Sequence, residues 1–271
     1  MIPAYSSALV NARESESPIR PAADGPDRPV RVDPATATVR FRTADDSVET
    51  LDWDDAAAVL AAPLAPWRTF RWWYGQQHYS GTYWSRTQQD HVIYESRLEL
   101  ARLIYADFDQ DVTSIVAQPF LLEAEVDGRP RRHIPDFLLR TSHGPVVVEV
   151  KPRDRVSAPT VAYTLSWARQ LIEDRGWDYE VWSEPPAVEL ANLRFLAGYR
   201  DERRINKQVL KLVKQADLDC LTVGQATAAL PDLSRPLVRA AICHLLWNGT
   251  WVTDLDVPLQ STSVLRKGAR S

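Results

Sequence analysis

Cysteine is scarce, with Cys220 and Cys243 the only two among 271 residues. That excludes a disulfide framework, and their separation excludes the close ligand spacing of a structural metal site. Both read as small buried hydrophobes. Glycine is sparse as well, ten residues scattered singly, so no glycine-rich loop can cradle phosphates and no nucleotide cofactor is expected. Long apolar runs are missing. The longest, Ala56 to Trp67, is interrupted by Pro63 and Pro66 and falls short of the roughly 18 residues that cross a bilayer. The first residues lack the basic start and apolar stretch of a secretory signal. A cytoplasmic protein without membrane contact is the expectation.

What is present is an ordinary globular composition, 45% hydrophobic and 25% charged, long enough for a substantial core. Net charge is -4, which speaks against a uniformly basic nucleic-acid binder, but the charge is uneven. Residues 203–271 hold ten Lys or Arg against five Asp or Glu, leaving 22 against 31 for the rest. The last quarter is therefore the basic part.

The pattern divides the chain into four regions. Residues 1–35, with six prolines and no apolar periodicity, read as a disordered leader. In 36–90, Val39 to Leu51 alternates as a hairpin, Trp53 to Ala61 suits a short helix, and Trp67 to Trp84 interleaves aromatics with Arg68, Arg71 and His78. That mixture caps a core or stacks on nucleic acid. Residues 91–200 give an amphipathic helix over His91 to Phe108, strands over Ile115 to Val126, Arg132 to Arg140 and Val146 to Lys151, a helix over Val161 to Arg175 and a strand at Tyr179 to Trp182. The fold class is α/β with an αβββαβ core, its last strand parallel to its neighbour through the helical crossover. Residues 201–271 predict helices over Arg203 to Gln215, Thr222 to Leu230 and Ser234 to Trp247, then a short strand, a winged-helix-like basic domain.

The chemistry concentrates on Asp136 and, thirteen residues later, Glu149-Val150-Lys151. Residues two apart on a strand share a face, so Glu149 and Lys151 project together while Val148 and Val150 fill the other side. Acids among valines need compensating charge. Asp136 and Glu149 offer the hard oxygens that Mg²⁺ prefers, and Lys151 can orient water or offset phosphate charge. The preceding helix adds Glu95 and Glu99, one turn apart, and Leu98 and Leu100 favour Glu99 as the inward one. Gln118 is a candidate to line the cleft. His133 reads as a strand-edge residue. In the basic region Lys207, Lys211 and Lys214 follow i, i+4, i+7 spacing, with Val209, Leu210, Leu212 and Val213 expected inside; Arg235 and Arg239 add charge on the next helix, giving a surface for DNA or a partner.

The runs Glu95-Ser96-Arg97-Leu98-Glu99-Leu100-Ala101, Ala117-Gln118-Pro119-Phe120, His133-Ile134-Pro135-Asp136-Phe137-Leu138 and Val147-Val148-Glu149-Val150-Lys151-Pro152 resemble the PD-(D/E)xK nuclease superfamily. Within it they resemble the TnsA-type endonuclease subunits of heteromeric transposases. The resemblance implies a restriction-endonuclease-like fold and catalytic roles at Glu99, Asp136 and Lys151. It further implies Mg²⁺, replaceable by Mn²⁺, held by Glu99, Asp136, Glu149 and the Val150 carbonyl. Double-stranded DNA, a transposase subunit and an ATPase regulator are the implied partners. The family carries glutamine where this chain has Glu149, a departure that adds an anionic ligand. The expected activity is cutting of one strand at transposon ends. The alternatives are a stand-alone repair or restriction nuclease, or a catalytically idle DNA-binding or assembly subunit, against which the full set of acidic and basic site residues speaks.

Overall fold

The computed structural model of the chain describes residues 30–68 and 79–268. Residues 1–29 of the expected leader and 69–78 of the aromatic stretch lie outside the described residues. β1 (Val32–Thr43) takes in residues 32–35 of the expected leader and pairs with β2 (Val48–Asp52) as the expected hairpin. Ala37, Val39 and Phe41 of β1 point inward at every second position. A 3-10 turn at Trp53–Asp55, α1 (Ala57–Ala61) and β3 (Leu64–Ala65) come after it, β3 lying against β1.

Next comes a hairpin of β4 (Gly81–Ser85) and β5 (Asp90–Tyr94), then α2 (Arg97–Phe108). The helix expected from His91 is thus a strand for its first four residues, as alternation at Val92 and Tyr94 favours, and Ser96 caps the true helix by accepting from the Glu99 N–H at 3.1 Å. Two further strands also divide. Ile115 to Val126 becomes β6 (Val112–Ala117) and β7 (Leu121–Val126), and the return becomes β8 (Arg129–His133) and β9 (Phe137–Thr141). The breaks fall at Pro119 and Pro135. Proline has no N–H for a central ladder, so the chain leaves one sheet and enters another at both.

β10 (Gly144–Val150) completes the run of strands, α3 (Arg153–Val156) and α4 (Pro159–Asp174) cross over, and β11 (Asp178–Trp182) returns parallel to β10. The four-stranded sheet has order β11-β10-β9-β6; the other, β2-β1-β7-β8 with β3 at its side, contains the excursion. Apart from that excursion, α2, β6, β9, β10, α4 and β11 reproduce the expected αβββαβ order. The molecule is a mixed α/β structure.

The remaining helices are α5 (Ala187–Ala197), which periodicity did not announce, α6 (Lys207–Gln215), α7 (Val223–Ala228) and α8 (Arg235–Trp247); β12 (Trp251–Val252) pairs with β13 (Arg266–Lys267). Arg203 and Arg204 sit in a separate 3-10 turn because Asn206, whose side chain accepts from the Val209 N–H at 3.0 Å, begins α6. Leu212 is 38% exposed, a correction to the inward reading, since only Val209, Leu210 and Val213 reach the core. Cys243 is buried, whereas Cys220, at φ 63° in a turn, is exposed.

Each face of the four-stranded sheet has its own core. Val148, Val150, Phe137 and Leu139 pack with α2, α5 and the C-terminal helices, where Trp247 meets Phe108 at 5.3 Å. Val147, Leu138 and Val116 face α4 and the second sheet through Trp167, Leu171 and Phe120. The C-terminal helices therefore share one core with the central sheet.

Candidate active site

The two proline breaks position the site. At Gln118 the chain takes a left-handed φ of 47°, a conformation that costs a non-glycine residue of the order of 1 kcal/mol. The Gln118 N–H donates to the Asp136 carbonyl at 2.9 Å, and the Gln118 carbonyl accepts from the Trp67 N–H at 2.8 Å. The first of these bonds continues the β6–β9 ladder one step beyond Ala117 and Phe137, after which the strands separate, and Asp136 lies at that opening, just before β9. β10, paired on both sides, carries Glu149 and Val150 to the same place and ends at Lys151.

Asp136 Oδ2 accepts from the Val150 N–H at 2.6 Å and from Lys151 Nζ at 2.9 Å. The same ammonium donates to the Val150 carbonyl at 3.2 Å and to Glu149 Oε2 at 3.4 Å. Although burial works against its charge, Asp136 and Glu149 hold the Lys151 pKa above the ordinary lysine value. Glu149 is fully buried, and its Oε1 is hydrogen-bonded to His133 Nε2. His133 thus belongs to the site's surroundings and is not a bare strand-edge residue. It is sixteen residues from Glu149 and on the other sheet, a distance no local pattern spans.

Glu95 and Glu99 do not share a helix face. Glu95 precedes the cap, where its Oε1 accepts from Gln118 Nε2 at 2.6 Å and its Oε2 lies 3.5 Å from Arg68. Glu99 lies in the first turn of α2 and accepts from the Glu95 N–H at 2.7 Å. Burial raises its carboxyl pKa to about 7, opposed by that backbone hydrogen bond and reinforced by the charges of Asp136 and Glu95. In the unfolded chain Glu99 ionises near 4.5. The folded form therefore keeps its proton longer, and stability falls as pH rises from that value towards 7. Glu99→Gln is expected to melt with the wild type at pH 4 and above it at pH 8 in EDTA, as followed by circular dichroism; equal melting temperatures at pH 8 would refute the buried carboxyl.

Among the described residues, the permanent cations that the carboxylates of Glu95, Glu99, Asp136 and Glu149 face are Lys151 and Arg68. Even with Glu99 protonated, three negative against two positive charges leave an excess of one. Gln118 Oε1, buried beside them, has no hydrogen-bond partner among the described residues. No cluster of three acidic, imidazole or thiol groups converges on a ready-made metal cage among the described residues. Instead Asp136 Oδ2, Glu149 Oε2 and the Val150 carbonyl converge on the Lys151 ammonium. That all-oxygen set, the charge excess and the orphaned amide oxygen fit a hard divalent cation.

Residues 109–184 match the family model for the TnsA-like endonuclease N-terminal domain. This segment is similar to TnsA-like endonuclease N-terminal domains. It runs from the start of β6 to just past β11 and includes Asp136, Glu149 and Lys151, while Glu99 precedes it. No curated protein matches the chain. The TnsA-like match indicates a nuclease related to transposase subunits.

Elsewhere, Lys207, Lys211 and Lys214 line the exposed side of α6, and Arg235 and Arg239 are exposed on α8. His143 is at an exposed turn, and His244 is buried with Nδ1 2.8 Å from the Tyr199 carbonyl. Arg169, 5.1 Å over the Tyr179 ring, is exposed. No helix among the described residues is long and apolar enough to cross a membrane.

Proposed function

We propose that this protein is a metal-dependent DNA endonuclease subunit of a heteromeric transposase, cutting one strand at each transposon end beside a transposase that cuts the other and an ATPase that regulates both. The observation that carries this reading is the meeting of Asp136, Glu149, the Val150 carbonyl and Lys151 at the opening between two strands of a TnsA-like endonuclease domain. Glu99, Asp136, Glu149 and Val150 would hold Mg²⁺, or Mn²⁺ in its place. The ion, when bound, supplies a water of lowered pKa and polarises the phosphate. Lys151, on a flexible stem between the acids, orients the attacking water and offsets charge on the phosphate. In-line attack forms a bond from the water oxygen to phosphorus and breaks the bond from phosphorus to the 3′ oxygen, which takes a proton, leaving 5′-phosphate and 3′-hydroxyl ends.

The two helix-proximal glutamates should separate in nicking assays on transposon-end DNA with the transposase present. Glu99→Gln is expected to remove nicking and Glu95→Gln to reduce it only severalfold, since Glu95 is already engaged by Gln118 and Arg68. The reverse order would transfer the ligand role to Glu95.

The exposed lysines of α6, with Arg235 and Arg239, are proposed as a surface for the DNA backbone. Each phosphate contact contributes about 0.9 to the slope of log affinity against log salt. Changing Lys207, Lys211 and Lys214 together to Glu in the full chain should flatten that slope by about 2 to 3. An unchanged slope and affinity would assign the stripe to a protein partner. The full chain is needed because α6 and α8 share their core with the central sheet.

A further inference from the structure

We propose that His133 is a positioning residue for Lys151 and acts through Glu149; the catalytic consequence rests on the nuclease reading above, but the geometry does not. β8 places His133 opposite Leu122, on the side facing the space between the two sheets. Glu149 enters that space from β10. Its carboxylate has no exposure, so water cannot substitute for a lost partner. The two oxygens are divided: Oε1 is bonded to His133 Nε2, and Oε2 lies 3.4 Å from Lys151 Nζ. An ionised carboxylate only accepts, so the Nε2 atom must carry the hydrogen. Trp167 stands edge-on to the imidazole, with centroids 6.1 Å apart and planes at 82°, which fixes the ring's plane.

The carboxylate of Glu149 can turn about its last torsion, a broad and soft one. The bond to His133 stops that rotation and leaves Oε2 facing Lys151 Nζ. Asp136 holds the ammonium from the other side at 2.9 Å. The lysine is thereby fixed between two carboxylates, one of them anchored to the second sheet by the histidine. Without His133, a buried oxygen of Glu149 would lack its donor and the group would reorient to find another. Lys151 would then lose one of its two carboxylate partners. Outer partners of this kind commonly change activity by about 10- to 100-fold.

The test uses the full-length protein and compares His133→Ala, His133→Gln, Glu149→Gln and the double variant His133→Ala/Glu149→Gln, with Asp136→Ala as control. His133→Ala should lower kcat for nicking about 10- to 100-fold with KM for DNA unchanged. His133→Gln, which keeps a donor, should recover most of the loss. In the Glu149→Gln background, His133→Ala should cost severalfold less than in the wild type, because the amide that it would orient offers Lys151 no charge. Independently of nicking, NMR of the ¹⁵N-labelled ammonium of Lys151, one of five lysines and assignable by its absence in Lys151→Arg, should show a protected signal. That signal should be lost in His133→Ala and kept in His133→Gln. Additive losses from His133→Ala and Glu149→Gln, or a Lys151 signal indifferent to His133→Ala, would overturn the proposal. Nicking that survives Asp136→Ala would instead overturn the nuclease reading, while the NMR result would still decide the positioning role.

Discussion

Asp136→Ala and Lys151→Ala are each expected to lower Mg²⁺-dependent nicking by about 10³-fold or more, the scale seen when a group that stabilises developing charge is removed. Asp136 Oδ2 is the common acceptor of the Val150 N–H and the Lys151 ammonium, so its loss frees both the strand end and the lysine. Lys151→Ala removes the only lysine at the opening and leaves Asp136 and Glu149 without their shared cation. The measurement is conversion of supercoiled or transposon-end DNA to nicked product, with Mg²⁺, Mn²⁺ or EDTA, by proteins whose circular dichroism matches the wild type. Wild-type rates from either folded variant would remove the active-site assignment.

Asp107→Ala is expected to be among the most destabilising single substitutions, by about 3–5 kcal/mol, because it orphans buried donors. Asp107 is 1% exposed and lies near the end of α2. It accepts from the Tyr83 hydroxyl at 2.9 Å, the Ser85 hydroxyl at 2.6 Å and the N–H groups of Arg86 and Thr87 at 3.1 and 2.8 Å. One carboxylate thus gathers the whole turn of the β4–β5 hairpin and ties it to the helix that carries Glu99. Burial and the Asp107 charge hold the Tyr83 phenol far above its ordinary pKa, which keeps it a donor at every working pH. For a chain of this size the loss corresponds to a fall in melting temperature of roughly 10 °C. Urea denaturation checks it, and a change below 1 kcal/mol would mean that water replaces the lost acceptor.

The αβββαβ order of elements along the chain, the shared side of Glu149 and Lys151 and the outward lysine stripe of α6 were determined by the sequence alone. Each rests on a periodicity that local geometry imposes: two residues per repeat along β10, 3.6 along α6, and a valine run that only a strand paired on both sides tolerates. The family resemblance rested on the same short runs, and the matching endonuclease domain lies over most of them. Only the tertiary structure decided the features that depend on contacts between distant segments. It placed Glu95 before the cap of α2, because the β4–β5 pairing takes His91 to Tyr94 out of the helix. It turned two long strands into four, because Pro119 and Pro135 lack ladder donors and the chain changes sheets at each of them. It brought His133 to Glu149 across two sheets and left Leu212 outside, because which face of an element is buried is set by the elements that pack on it. Side-chain period is a property of neighbouring residues; the partner of a buried carboxylate is a property of the fold.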